Sequence, residues 1–114
     1  MYLTNAFSAN MLANFPASVS FTEVSADQAR FALMCAAEDA GECDFIVSAV
    51  GHADTAAVFS AVLGIPVECR RVTASLKAGD SAIVGQYIGS RLPEGATSLP
   101  EGATIKWLLV YVSP

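Results

Sequence analysis

The chain has 114 residues, 54% of them hydrophobic and 15% charged, with a formal net charge of −5. One domain with one continuous core fits this length, and separate catalytic and substrate domains do not. So acidic a balance excludes a general DNA or RNA binder, which needs many lysines and arginines to neutralise phosphates.

Residues 2–7 read as a short strand, followed by a polar turn at Ser8-Ala9-Asn10-Met11 before Phe15-Pro16 restarts the chain. Val19, Phe21 and Val24 predict a second strand. Ser25-Ala26-Asp27-Gln28 has the spacing of a capping box, in which serine and glutamine side chains satisfy the unpaired amides of a helix start. An amphipathic helix then runs to about Ala40, with Gly41 as its stop. Residues 45–50 have the continuous apolar character of a buried central strand. Gly51-His52-Ala53 ends it before a helix over residues 54–63, which Asp54 or Thr55 can cap. Gly64-Ile65-Pro66 closes that helix and opens a strand region through Lys77, and Ala78-Gly79-Asp80 supplies a hairpin turn into a strand over residues 82–88. Leu92-Pro93-Glu94-Gly95-Ala96-Thr97 is repeated at once as Leu99-Pro100-Glu101-Gly102-Ala103-Thr104, a loop motif too short to be a solenoid. One copy is expected to serve as the connection. Residues 105–112, dense in β-branched and aromatic side chains, predict a buried last strand. This order implies a single α/β domain, a mixed sheet with helices packed against it.

The high apolar content implies a surface covered by a second copy, so a homodimer is expected. The N-terminus shows no basic segment followed by an apolar run and a cleavage site. No stretch approaches a membrane span, and the chain is read as cytoplasmic, without a membrane partner. Cys35, Cys43 and Cys69 are an odd number and fit reduced thiols in or near the core rather than a disulfide framework or a zinc knuckle. Through Gly64 seven acidic residues face only Arg30, whereas Arg70, Arg71, Lys77, Arg91 and Lys106 follow, so the C-terminal half can hold a local anion site.

His52, the sole histidine, stands between a buried strand and a helix start, where it can exchange a proton near neutral pH beside amides suited to a phosphate. It equally fits a histidine that only caps the turn. Arg91, in a loop bounded by glycine and proline, fits a phosphate clamp or a solvated arginine. Arg70 and Arg71 are adjacent, so on a strand they point to opposite faces and at most one enters a given site. Glu94 fits a partner of Arg91, a contact to a ribose hydroxyl, or a plain loop carboxylate. Asn5, Ser8 and Asn10 suit hydrogen bonding to a base or sugar, though turn formation accounts for them too. With no second histidine, no Gly-rich Lys-Ser/Thr loop and no Ser-His-Asp spacing, what remains is a small phosphate site with no evident metal or cofactor.

Four segments in order carry a resemblance: residues 2–12, then Gly51-His52-Ala53-Asp54-Thr55, then Arg71-Val72, then Arg91-Leu92-Pro93-Glu94-Gly95. Each is weak alone; together they resemble the viral-type ring nucleases, the type III anti-CRISPR proteins, over nearly the whole chain. The resemblance implies a homodimer that binds cyclic tetra-adenylate and cuts it, without a metal, into linear di-adenylates ending in a 2′,3′-cyclic phosphate. The ribose 2′-hydroxyl would be the nucleophile. His52 would be the general acid, Arg91 would stabilise charge on the scissile phosphate, and Glu94 would orient that arginine or the 2′-hydroxyl. Arg71 would hold phosphate, and Asn5, Ser8, Asn10 and Gln86 would contact the ring. Glu101 is the second candidate for the role of Glu94. The competing expectations are a non-catalytic cyclic-nucleotide sponge and a protein-binding inhibitor.

Overall fold

The computed structural model describes residues 1–40 and 47–114. Among the described residues five strands form one sheet: β1 (Tyr2–Thr4), β2 (Val19–Val24), β3 (Val47–Ser48), β4 (Ser81–Ile88) and β5 (Thr104–Val112). Two helices accompany them, α1 (Ala26–Ala40) and α2 (Ala53–Leu63). The spatial order is β2-β5-β4-β1-β3. β1 runs parallel to both β3 and β4, while β5 is antiparallel to β4 and β2, so the sheet is mixed, as the element order implied.

Strand alternation gives the sheet two different faces. Leu3, Ile83 and Trp107 point to the side where Ala29 and Leu33 of α1 meet Ala56, Phe59 and Leu63 of α2, and this is the main core. The rings of Phe59 and Trp107 lie 4.9 Å apart, directly over Gly85. Gly85 has to be glycine: a Cβ there would stand 2.5 Å from Trp107 and 2.7 Å from Phe59. On the opposite face irregular chain replaces helices. Met11 with Ala74, and Leu76 with Leu12 and Phe7, cover Ala49, Ala82 and Val112.

The capping box forms as its spacing predicts, with Ser25 N–H donating to Gln28 Oε1 at 2.8 Å and Gln28 N–H donating to Ser25 Oγ at 3.1 Å. Gly64 ends α2 in the left-handed region with φ 71°. The predicted stop at Gly41, the first residues of the strand predicted over 45–50, and Cys43 lie outside the described residues.

Several expectations need correction. The first strand stops at Thr4, because the Thr4 hydroxyl donates to Ala6 O at 3.0 Å and turns the chain locally. Asp54 and Thr55 do not cap α2; its N-cap is His52, with no side-chain cap bond. Residues 65–77 form no strand, and their β-type pairing among the described residues is limited to the isolated bridges Val50↔Cys69 and Leu12↔Leu76. The partners on offer there are a strand end and a short 3-10 turn, Ala9–Met11, so no ladder can propagate. Ala78-Gly79-Asp80 is therefore a turn into β4 but not a hairpin, and the opposed faces expected for Arg70 and Arg71 lose their premise. Cys69 is exposed rather than near the core.

Candidate functional site

β1, β3 and β4 run parallel, so their carboxyl ends share one edge of the sheet, the place where an α/β fold collects ligand-binding loops. Asn5 follows β1, Gly51 and His52 follow β3, and Arg91 follows β4. Asn5, Gly51, His52, Arg71 and Thr73 line an open cleft of about 370 Å³ at this edge.

Local bonding places each group. His52 has extended backbone, and its carbonyl accepts from Ala56 N–H at 3.0 Å as the first link of α2. The backbone is thus fixed while the exposed imidazole engages no hydrogen bond among the described residues. Arg70 N–H donates to Val50 O at 2.8 Å, which lays the following residues along the β3 end. From there Arg71 Nε donates to Gly51 O at 3.1 Å. Its terminal nitrogens stay unpaired, since the ion pair found among the described residues is Arg30 with Asp27. A guanidinium and the amide-bearing start of α2 make the cleft attractive to an anion. Asp54, in the first turn of α2, turns its carboxylate away from the helix to accept Gly95 N–H at 3.1 Å.

That bond joins a second region. Ser90, Arg91, Pro93 and Glu101 line a cleft of about 360 Å³ beyond β4, together with Tyr87, whose hydroxyl donates to Ser90 O at 2.6 Å. The two repeats form the same turn, so both serve the connection. Ala96 N–H donates to Pro93 O, and Ala103 N–H to Pro100 O, each at 3.1 Å. Gly95 and Gly102 take φ of 78° and 81°, which favours glycine at both positions.

The structure thus brings Asn5, His52 and Arg71 together and sets Arg91 on a loop bonded to the helix that His52 caps. It does not bring in the remaining candidates. Ser8 and Asn10 are exposed outside the cleft, the Ser8 N–H donating to Met11 Sδ at 3.2 Å. Gln86 is exposed on β4 opposite Lys106, on the sheet face away from the helices. Glu94 is exposed at the tip of the first turn and is not among the residues lining the Arg91 cleft, whereas Glu101 is. Sequence reasoning gave Thr73, Tyr87 and the Asp54 contact no site role. Only the repeat itself signalled Glu101. Among the described residues no group of three or more His, Cys, Asp or Glu forms a metal-ligand set, and no helix is long and apolar enough to cross a membrane.

A model of the STIV B116-like family matches residues 1–106. Among solved structures, B116 of Sulfolobus turreted icosahedral virus (STIV) is similar with a TM-score of 0.79 and 28% identity, covering 96% of this chain and 97% of that one. No curated protein matches.

Proposed function

This chain belongs to the STIV B116-like family, and on that premise we propose that it is a metal-independent ring nuclease acting on cyclic tetra-adenylate. In this reading a homodimer binds the ring and cleaves it to linear di-adenylates with 2′,3′-cyclic phosphate ends, switching off type III CRISPR signalling in the host cytoplasm. The observation that carries the reading is one shared cleft, in which the unbonded imidazole of His52 opens beside Asn5 and the anchored guanidinium of Arg71.

The chemistry asks little more of the protein than positioning and a proton. The ribose 2′-oxygen attacks phosphorus, its proton passes to water, and the bond from phosphorus to the 5′-oxygen breaks. Protonated His52 donates to the departing 5′-oxygen. Arg71 holds the phosphate in the cleft, and Arg91 neutralises charge developing on its oxygens. Glu94, three residues beyond Arg91, orients that guanidinium or the 2′-hydroxyl. Asn5, Ser8, Asn10 and Gln86 contact the bases and sugars.

Two-fold symmetry supplies the residues that one copy leaves outside the cleft. Phe21 and Ile88, 50% and 47% exposed, share with Gln86 the sheet face away from the helices, where a second copy would cover apolar surface.

The test incubates purified protein with cyclic tetra-adenylate in EDTA and resolves the products by mass. Linear di-adenylate 2′,3′-cyclic phosphate from the native protein, and intact ring with His52→Ala, is the expected result. Intact ring recovered after denaturing a tight complex of the native protein would make it a sponge instead, and no binding at all would direct attention to protein partners.

A further inference from the structure

Asp54 is unusual among the acidic residues of the described chain in what its carboxylate does. It stands at the second position of α2, where an acid near a helix start ordinarily accepts from local amides or faces solvent. Its Oδ1 instead accepts from the backbone of Gly95, 41 residues away. The bond falls on the first of two turns with the same hydrogen bond and the same left-handed glycine. In the second turn, Gly102 N–H meets no side-chain acceptor among the described residues, so the two copies differ in tethering and not in local conformation.

We propose that Asp54 is a positioning residue that ties the Arg91 loop to the helix capped by His52, and so fixes the distance between the proton donor and the charge-neutralising guanidinium. The inference rests on the ring-nuclease reading above. His52 and Asp54 are two residues apart at the rigid start of α2, and Arg91 and Gly95 are four apart in a loop with no ladder of its own. One charge-assisted bond between these segments sets the register of the two halves of the site. Without it the loop keeps its turn, because the Ala96-to-Pro93 bond is independent of Asp54, but loses its place.

Asp54→Asn keeps a carbonyl oxygen at the accepting position, and Asp54→Ala keeps none. Asp54→Ala is expected to lower kcat by about tenfold with KM changed much less, the cost of misplacing one group without removing it. Asp54→Asn is expected to restore most of the rate. Amide exchange of Gly95, followed by NMR in the native protein and both variants without ligand, reads the tether itself. Protection in the native protein and in Asp54→Asn, lost in Asp54→Ala, supports it. Equal exchange in all three overturns it, as does lost protection with unchanged kcat. If the native protein turns over no cyclic tetra-adenylate, the ring-nuclease reading fails and the catalytic part of this proposal with it, while the exchange measurement still decides the tether.

Discussion

Arg71 Nε donates a 3.1 Å hydrogen bond to the carbonyl of Gly51, the residue immediately before His52. The guanidinium is thereby fastened to the backbone that carries the imidazole. Only its inner nitrogen is used, so the outer pair is left for a phosphate.

Lysine divides this work poorly, because its three donors radiate from one nitrogen and offer no second, planar edge for a phosphate while the Gly51 bond is kept. Arg71→Lys is therefore expected to weaken binding of cyclic tetra-adenylate by about tenfold, nearly as much as Arg71→Ala. Titration calorimetry on a His52→Ala background, where the ring stays intact, measures it. Full affinity in the lysine variant would show that charge alone suffices.

His52 contributes its backbone to the start of α2 and no side-chain bond. Replacing the exposed imidazole by alanine should shift stability by no more than about 0.5 kcal/mol, while turnover falls by at least about a hundredfold. Thermal unfolding and single-turnover cleavage together make the check. A large drop in melting temperature would assign the histidine a structural role.

Gly85 lies beneath Phe59 and Trp107 with no space for a methyl group. Gly85→Ala forces those rings apart and should cost about 1–3 kcal/mol. The sole tryptophan of the chain, Trp107, reports the loss as a lower denaturant midpoint by fluorescence. An unchanged midpoint would mean that the rings move without cost.

Glu94 and Glu101 occupy equivalent positions in equivalent turns, but only Glu101 lines the cleft of Arg91. Glu101→Gln removes a negative charge from an anion-binding wall and should lower KM by about two- to fivefold, the size expected of an exposed charge. Glu94→Gln should lower kcat instead, by about tenfold if it orients the reacting groups. Steady-state kinetics separate the two. A fall in kcat confined to Glu101→Gln would transfer the orienting role to the second turn.

Much of this arrangement is legible in the residues because the signals are local. The box at Ser25 and Gln28, the β-branched run of β5, and Gly64 after α2 each act within a few positions, and each forms as read. His52 stands out by composition and by its place at the end of β3. The chain over 65–77 is harder. Ala74 and Leu76 are buried and Ser75 and Lys77 exposed, which imitates a strand, yet their neighbours are loops. The Asp54–Gly95 contact has no local signature, because nothing near either residue announces a partner 41 positions away. The two turns are alike in sequence and backbone, so only their tertiary surroundings tell Glu94 from Glu101.

Each copy of the repeated turn closes on itself, and the ladder resumes only with Ile88 opposite Thr104, the final residue of the second copy, whose counterpart in the first copy is also threonine, Thr97. A seven-residue unit can therefore be gained or lost by slippage during replication, in frame, without shifting the sheet. The entropic cost of such a change in loop length is only a few tenths of a kcal/mol. Since Asp54 holds the first copy, a change in the second leaves that tether in place. Heritable variation in length can thus accumulate at the rim of the site, giving selection a way to adjust the reach around Arg91 while the folded scaffold stays as it is.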